Sequence, residues 1–114
     1  MASPLEVVQA QVDAFNARDA EAFTALYHSD ATLLGPDGNV MMQGHAAING
    51  MYAQLFAQSP ELHVNIVSRM TVGDWVVDEE ECSGFVFDGF QSDLHTVVIY
   101  QVSDGLIVRS LALM

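Results

Sequence analysis

The sequence predicts an α+β domain in which three N-terminal helices cover one face of a curved, mostly antiparallel sheet. Two observations carry that prediction. Helix-start signals and apolar residues at helical spacing are confined to the first half of the chain, while four long β-runs joined by tight-turn dipeptides fill the second. A third observation is size: 114 residues are enough to bury one core and too few for two, so one domain over 1–114 is expected.

Ser3-Pro4-Leu5-Glu6 combines an N-cap serine, a proline at the first helical position and a glutamate three residues after the cap. This capping box starts the first helix. Val8, Val12 and Phe15 form its apolar stripe, and Asn16-Ala17-Arg18 ends it. Asp19 caps a shorter second helix that runs through Phe23, Leu26 and Tyr27. Ala31 to Leu34 and Val40 to Gln43 form a hairpin around the turn Gly35-Pro36-Asp37-Gly38. Gly44-His45 opens the third helix, which presents Ile48, Met51, Tyr52, Leu55 and Phe56 and closes at Ser59-Pro60. Strands follow at Leu62 to Val72, Trp75 to Phe87, Gln91 to Val102 and Leu106 to Met114, with Gly73-Asp74, Asp88-Gly89 and Asp104-Gly105 as turns.

Composition removes whole classes of function. Three arginines and no lysine face 15 acids, a net charge of −12. Such a surface repels phosphate, so neither nucleic acid nor anionic membrane is an expected partner. The lone Cys82 excludes an internal disulfide and a multi-cysteine zinc site. His28, His45 and His63 lack ligand spacing and read as surface or cap residues; no metal and no cofactor is expected. The N-terminus carries no secretory pattern, and no apolar run approaches the ~18 residues of a membrane span, which points to a cytoplasmic protein.

The anomaly is the run Asp78-Glu79-Glu80-Glu81 in the middle of an otherwise apolar strand. Strand side chains alternate, so two acids point to each face, and acids on a core face need partners or a function. The turns serve as rulers. A two-residue turn at Gly73-Asp74 sets Val72 against Trp75 and hence Arg69 against Asp78. A two-residue turn at Asp88-Gly89 sets Phe87 against Phe90, which places Cys82 opposite His95, Glu80 opposite Val97 and Asp78 opposite Ile99. Arg69, Asp78, Glu80 and His95 then share the inner face. Glu79 and Glu81 go outward with Trp75, Phe85 and Phe87, a face suited to a homodimer interface.

The order of elements, together with Phe15-Asn16-Ala17-Arg18-Asp19, Ser29-Asp30-Ala31-Thr32, Gly44-His45-Ala46-Ala47-Ile48 and Asp104-Gly105-Leu106-Ile107, resembles the nuclear transport factor 2-like superfamily. The ketosteroid-isomerase-like and SnoaL-like branch is the nearest part of it. The resemblance implies a cone-shaped domain, a pocket between helices and sheet, and a homodimer packed through the outer sheet face. In a gap-free match the isomerase's catalytic tyrosine falls on Gln11, its general-base aspartate on Gly35 and its protonated aspartate on Val97. None is retained, so the known isomerase mechanism is not expected. The same match turns Val97, Asp78, Glu80 and Cys82 toward the pocket and brings Gln11, Tyr27 and Tyr52 near its mouth. Val97 and Ile99 complete the expected ligand-contacting set.

Two readings of the inner acids follow. Asp78 and Glu80 lie roughly 6 to 7 Å apart at their Cα atoms; in a pocket of low dielectric one holds a proton as acid while the other acts as base, with Arg69 and His95 assisting. That is a cofactor-free isomerase, dehydratase, cyclase or hydrolase acting on a small apolar molecule, with Met41, Met42 and Met51 suited to its walls. Alternatively Arg69 and Asp78 form a buried ion pair, Glu80 is satisfied by a hydroxyl or water, and the domain is a non-catalytic ligand-binding or dimerisation module.

Overall fold

The computed structural model describes residues 2–113. Helix α1 spans Pro4–Asn16 and α2 Ala20–Ala25; strands β1 (Tyr27–Leu34) and β2 (Val40–Gln43) precede α3 (Gly44–Gln58). Strands β3 (His63–Val72), β4 (Trp75–Phe87), β5 (Phe90–Ser103) and β6 (Leu106–Leu113) complete the chain. The six strands form one sheet in the order β2-β1-β6-β5-β4-β3. Every neighbouring pair is antiparallel except β1 and β6, which run parallel. The three helices pack on the concave face, giving the α+β cone that the resemblance implies. No helix of the described residues is long and apolar enough to cross a membrane.

Local chemistry sets the helix starts. The Glu6 amide donates to Ser3 Oγ at 3.2 Å and the Ser3 amide to Glu6 Oε1 at 2.9 Å, the reciprocal bonds of the capping box. The Ala22 amide donates to Asp19 Oδ1 at 3.0 Å and starts α2. That helix stops before Tyr27, which instead opens β1 opposite Ile107 of β6. The exchange is held by the Ile107 amide, which donates to the Leu26 carbonyl at 2.9 Å. Tyr27 thereby enters the core at 2% exposure. Its ring meets Phe23 at 5.2 Å, and Phe23 meets Tyr52 at 4.3 Å, so aromatic packing ties β1 to α2 and α3.

Both ruler turns form as expected, with Val72 opposite Trp75, Arg69 opposite Asp78 and Phe87 opposite Phe90. Between Cys82 and Phe85, however, β4 carries one residue more than β5. Ser83 and Gly84 together oppose Asp93, a β-bulge. Gly84 has φ +74°, and a Cβ added there would lie 2.4 Å from the Glu61 carbonyl oxygen, so only glycine fits this close approach of two backbones. The bulge corrects two expectations. Phe85 and Phe87, expected outside, pack inward against the cluster of Leu55, Phe56 and Leu62. On β5 the parity flips: His95 now pairs with Glu81, Val97 with Glu79 and Ile99 with Val77, all on the outer face. Val98, Tyr100 and Val102 take the inner positions. A second irregularity, at Val67 of β3, leaves the Arg69 pairing intact.

Candidate functional site

A cavity of about 250 Å³ opens between α1, α3 and the concave face of the sheet. Val12 and Phe15 come from α1, Met51 and Tyr52 from α3, and Leu33, Met41 and Met42 from the β1–β2 hairpin; Val64, Val98 and Ala112 form the floor. Six polar side chains stand among these apolar walls: Glu80, Tyr100, Gln11, Tyr27, Tyr52 and Ser110. A mostly apolar chamber with a few converging polar groups is the usual form of a small-molecule site.

Glu80 is the only carboxylate in that lining. The Tyr100 hydroxyl donates to Glu80 Oε2 at 3.3 Å. Burial, reinforced by the negative charge of Asp78, pushes the Glu80 carboxyl up to about 7 against the opposing pull of Tyr100 and Arg69. At neutral pH it is therefore divided between its acid and its base form. Burial and the neighbouring Glu80 push the Tyr100 hydroxyl well above its ordinary value, so it remains a donor. Tyr52 rises to about 12 for the same reasons.

Asp78 is differently employed. It is fully buried, and Arg69 holds both its oxygens, Nε to Oδ1 at 2.5 Å and Nη2 to Oδ2 at 2.8 Å. The third arm of the guanidinium, Nη1, donates to Gln9 Oε1 on α1 at 2.7 Å. The bond to Asp78 raises the Arg69 pKa, as expected for a bidentate, charge-assisted contact. Neither residue lines the cavity. Arg69 clasps α1 to the sheet, and Asp78 reaches the cavity only through the charge it sets beside Glu80.

Of the nine residues singled out from sequence, Glu80, Gln11, Tyr27 and Tyr52 line the cavity. Arg69 and Asp78 sit next to it as a pair. His95 does not belong to the site: its Nε2 lies 2.7 Å from Glu79 Oε2 on the outer face, where its side chain is 63% exposed. Val97 and Ile99 are likewise outside, and their neighbours Val98 and Tyr100 take their places in the lining. Tyr100 is the cavity-lining residue the sequence reading missed. The signal that would have found it is Gly84, since a glycine inside a strand pattern marks a bulge and one added residue turns Tyr100 inward.

The remaining candidates have local roles. Cys82 is half-buried beside the second apolar cluster, and burial with the nearby Glu80 raises its thiol to about 11, away from thiolate chemistry. His45 Nε2 lies 2.6 Å from the Tyr27 carbonyl oxygen, and His28 Nδ1 accepts from the Asp30 amide at 3.0 Å. Among the described residues no three His, Cys, Asp or Glu side chains converge on a point.

A sequence model of the SnoaL-like domain matches residues 8–110. No curated protein sequence matches the chain. Among solved structures it is similar to an uncharacterised cystatin-fold protein from Novosphingobium aromaticivorans, 25% identical over 100% of both chains, with a TM-score of 0.91. It is also similar in fold to a computationally designed 17-OHP binder, 23% identical over 99% of this chain and 94% of the other, with a TM-score of 0.83. A third is a hypothetical protein with a ketosteroid isomerase-like fold from Catenulispora acidiphila, solved in complex with trimethylamine. It is 22% identical over 99% of this chain and 87% of the other, with a TM-score of 0.77.

Proposed function

The chain belongs to the SnoaL-like domain family, on the nuclear transport factor 2-like fold, and on that footing we propose that it holds a small, largely apolar molecule in the interior cavity and that Glu80 exchanges a proton with it. The observation that carries this reading is the solitary Glu80 carboxyl, raised to about 7, in an otherwise apolar chamber. A group that titrates near the working pH is at once a competent base and a competent acid. Similarity to a designed 17-OHP binder and to a protein solved with trimethylamine supports a small molecule as the occupant.

The acid/base role rests on one carboxylate where the sequence suggested two, because Arg69 already neutralises Asp78. In the ionised form Glu80 takes a proton from a carbon next to a carbonyl, the C–H electrons moving toward the carbonyl oxygen. The protonated carboxyl then returns that proton to the same or a second carbon, which amounts to exchange or isomerisation. Tyr100 holds the carboxyl in place by its hydrogen bond, and the Tyr27 hydroxyl is available to the oxygen that gains charge.

The experiment uses 2-tetralone, an apolar ketone of one fused ring pair, and follows deuterium uptake at its α-carbons from heavy water by NMR. The protein accelerates the exchange, and Glu80→Gln removes the acceleration while 2-tetralone still binds. Exchange that is equally fast in both proteins would sink the proton-transfer role. Binding without any exchange in either leaves the alternative expected from sequence, a non-catalytic ligand-binding module.

The partner expected through the outer sheet face is a second copy of the chain, and the corrected register supports that reading. Met70, Val77, Ile99 and Leu111 are consecutive cross-strand partners on that face, an apolar row across four strands. Met70 at 58%, Val72 at 64% and Trp75 at 39% exposure extend it to open solvent. Val97 and Ile99, expected from sequence to touch ligand, are on this reading interface residues.

A further inference from the structure

Gln11 is 6% exposed and lines the cavity, and its Nε2 donates to the Tyr27 hydroxyl at 3.2 Å. Its other atom, Oε1, is buried with no donor in reach, the one such side-chain atom among the described residues. A buried acceptor left without a donor costs free energy that a correct ligand recovers. The Tyr27 oxygen accepts from Gln11, which leaves its own proton free, and Tyr27 too lines the cavity. The two side chains therefore present one acceptor and one donor, side by side. Turning the Gln11 amide over exchanges which residue supplies which, and the sum stays the same.

We propose that the cavity recognises its ligand through a neutral hydroxyl group, phenolic, enolic or alcoholic, whose O–H donates to Gln11 Oε1 while its oxygen accepts from the Tyr27 hydroxyl. A ketone or an ether fills only half of this pair. An ionised carboxylate or phenolate, which donates nothing, leaves Gln11 Oε1 unpartnered and places a second negative charge in the chamber that holds Glu80. The space is small, roughly eight water volumes at liquid density, which suits a molecule of one or two rings carrying that hydroxyl on its edge. The inference rests on the proposed small-molecule reading of the same cavity and adds which polar group the ligand carries.

Three probes of nearly equal size test it: 2-naphthol, 2-methoxynaphthalene and naphthalene, each titrated calorimetrically at pH 7. The expected result is that 2-naphthol binds about tenfold more tightly than either of the others, the worth of a satisfied buried hydrogen bond. This comparison needs no variant. In Gln11→Met, close in size and without the acceptor, the preference for 2-naphthol over 2-methoxynaphthalene disappears, while in Glu80→Gln it persists. Equal affinities for the three in the unaltered protein overturn the hydroxyl inference and leave the small-molecule reading standing. A preference lost in Glu80→Gln and kept in Gln11→Met also overturns it, since Glu80 would then be the reader. Failure of all three to bind removes both.

Discussion

Arg69 grips both oxygens of Asp78, at 2.5 and 2.8 Å, on the strand that also carries Glu80 two residues further on. One inward carboxylate is thereby engaged by a guanidinium at both oxygens, while the other, Glu80, faces the cavity with only the Tyr100 hydroxyl on it. Asp78→Asn should separate structure from function. It leaves a guanidinium without its partner beneath α1, a loss of about 3 kcal/mol for a broken buried pair. Denaturant unfolding measures it as a lower midpoint at unchanged slope. The cavity walls are untouched, so affinity for 2-tetralone stays the same, and a large drop in affinity would place Asp78 in the site after all.

Glu80 makes stability depend on pH in the opposite sense from a salt-bridged acid. Its folded pKa, about 7, stands above the ordinary value of 4.5. The folded protein thus holds a proton that the unfolded chain has already released, and stability falls as pH rises from 4.5 to about 7. Glu80→Gln removes the dependence. The variant should be more stable than the parent at pH 8, by on the order of 3 kcal/mol, and nearly equal to it at pH 4. Thermal unfolding of both proteins across that range is the measurement. A parent that gains stability through the window would show the carboxyl to be ionised by some partner in the fold.

Gly84 controls which half of β5 faces the cavity, through a bulge that its positive φ and its contact with the Glu61 carbonyl make obligatory. Gly84→Ala forces a Cβ to 2.4 Å from that oxygen and a left-handed φ on alanine. The backbone strain alone is worth about 1 to 3 kcal/mol, and the clash adds to it. A large drop in melting temperature is expected, with Gly73→Ala, whose added Cβ would meet nothing within 4 Å, as the milder control at a positive φ.

The same glycine explains how far the sequence could be read. Helix caps at Ser3 and Asp19 and the turns at Gly73-Asp74 and Asp88-Gly89 are local signals, and each element they announce is present. The Arg69–Asp78 pairing lies only a few residues from its turn, with no irregularity between, so the count reached it. His95, Val97 and Ile99 lie beyond the bulge from the turn at Asp88-Gly89, and one uncounted residue moved all three to the far side of the sheet. Tyr27 was expected in the second helix, and it opens β1 instead, for a related reason. Its helical spacing was sound, but parallel pairing with β6, nearly eighty positions away in the chain, overrode the local pattern. Long-range partners are what a single sequence leaves open.

The outer face supplies the last test. Ile99 pairs with Val77 on one side and Leu111 on the other, in the middle of the apolar row that the cone turns away from its helices. If a second copy covers that row, Ile99→Lys puts a charge at the centre of the interface and should convert a dimer into a monomer in sedimentation equilibrium. The interior cavity lies on the other side of the sheet, so 2-tetralone affinity in the monomer should stay within a few fold of the parent. Glu79 and His95, at 2.7 Å, flank the row in sequence and share its face. A parent protein that sediments as a monomer at every concentration would remove the interface, and the exposed row of Met70, Val72 and Trp75 would then need a different partner.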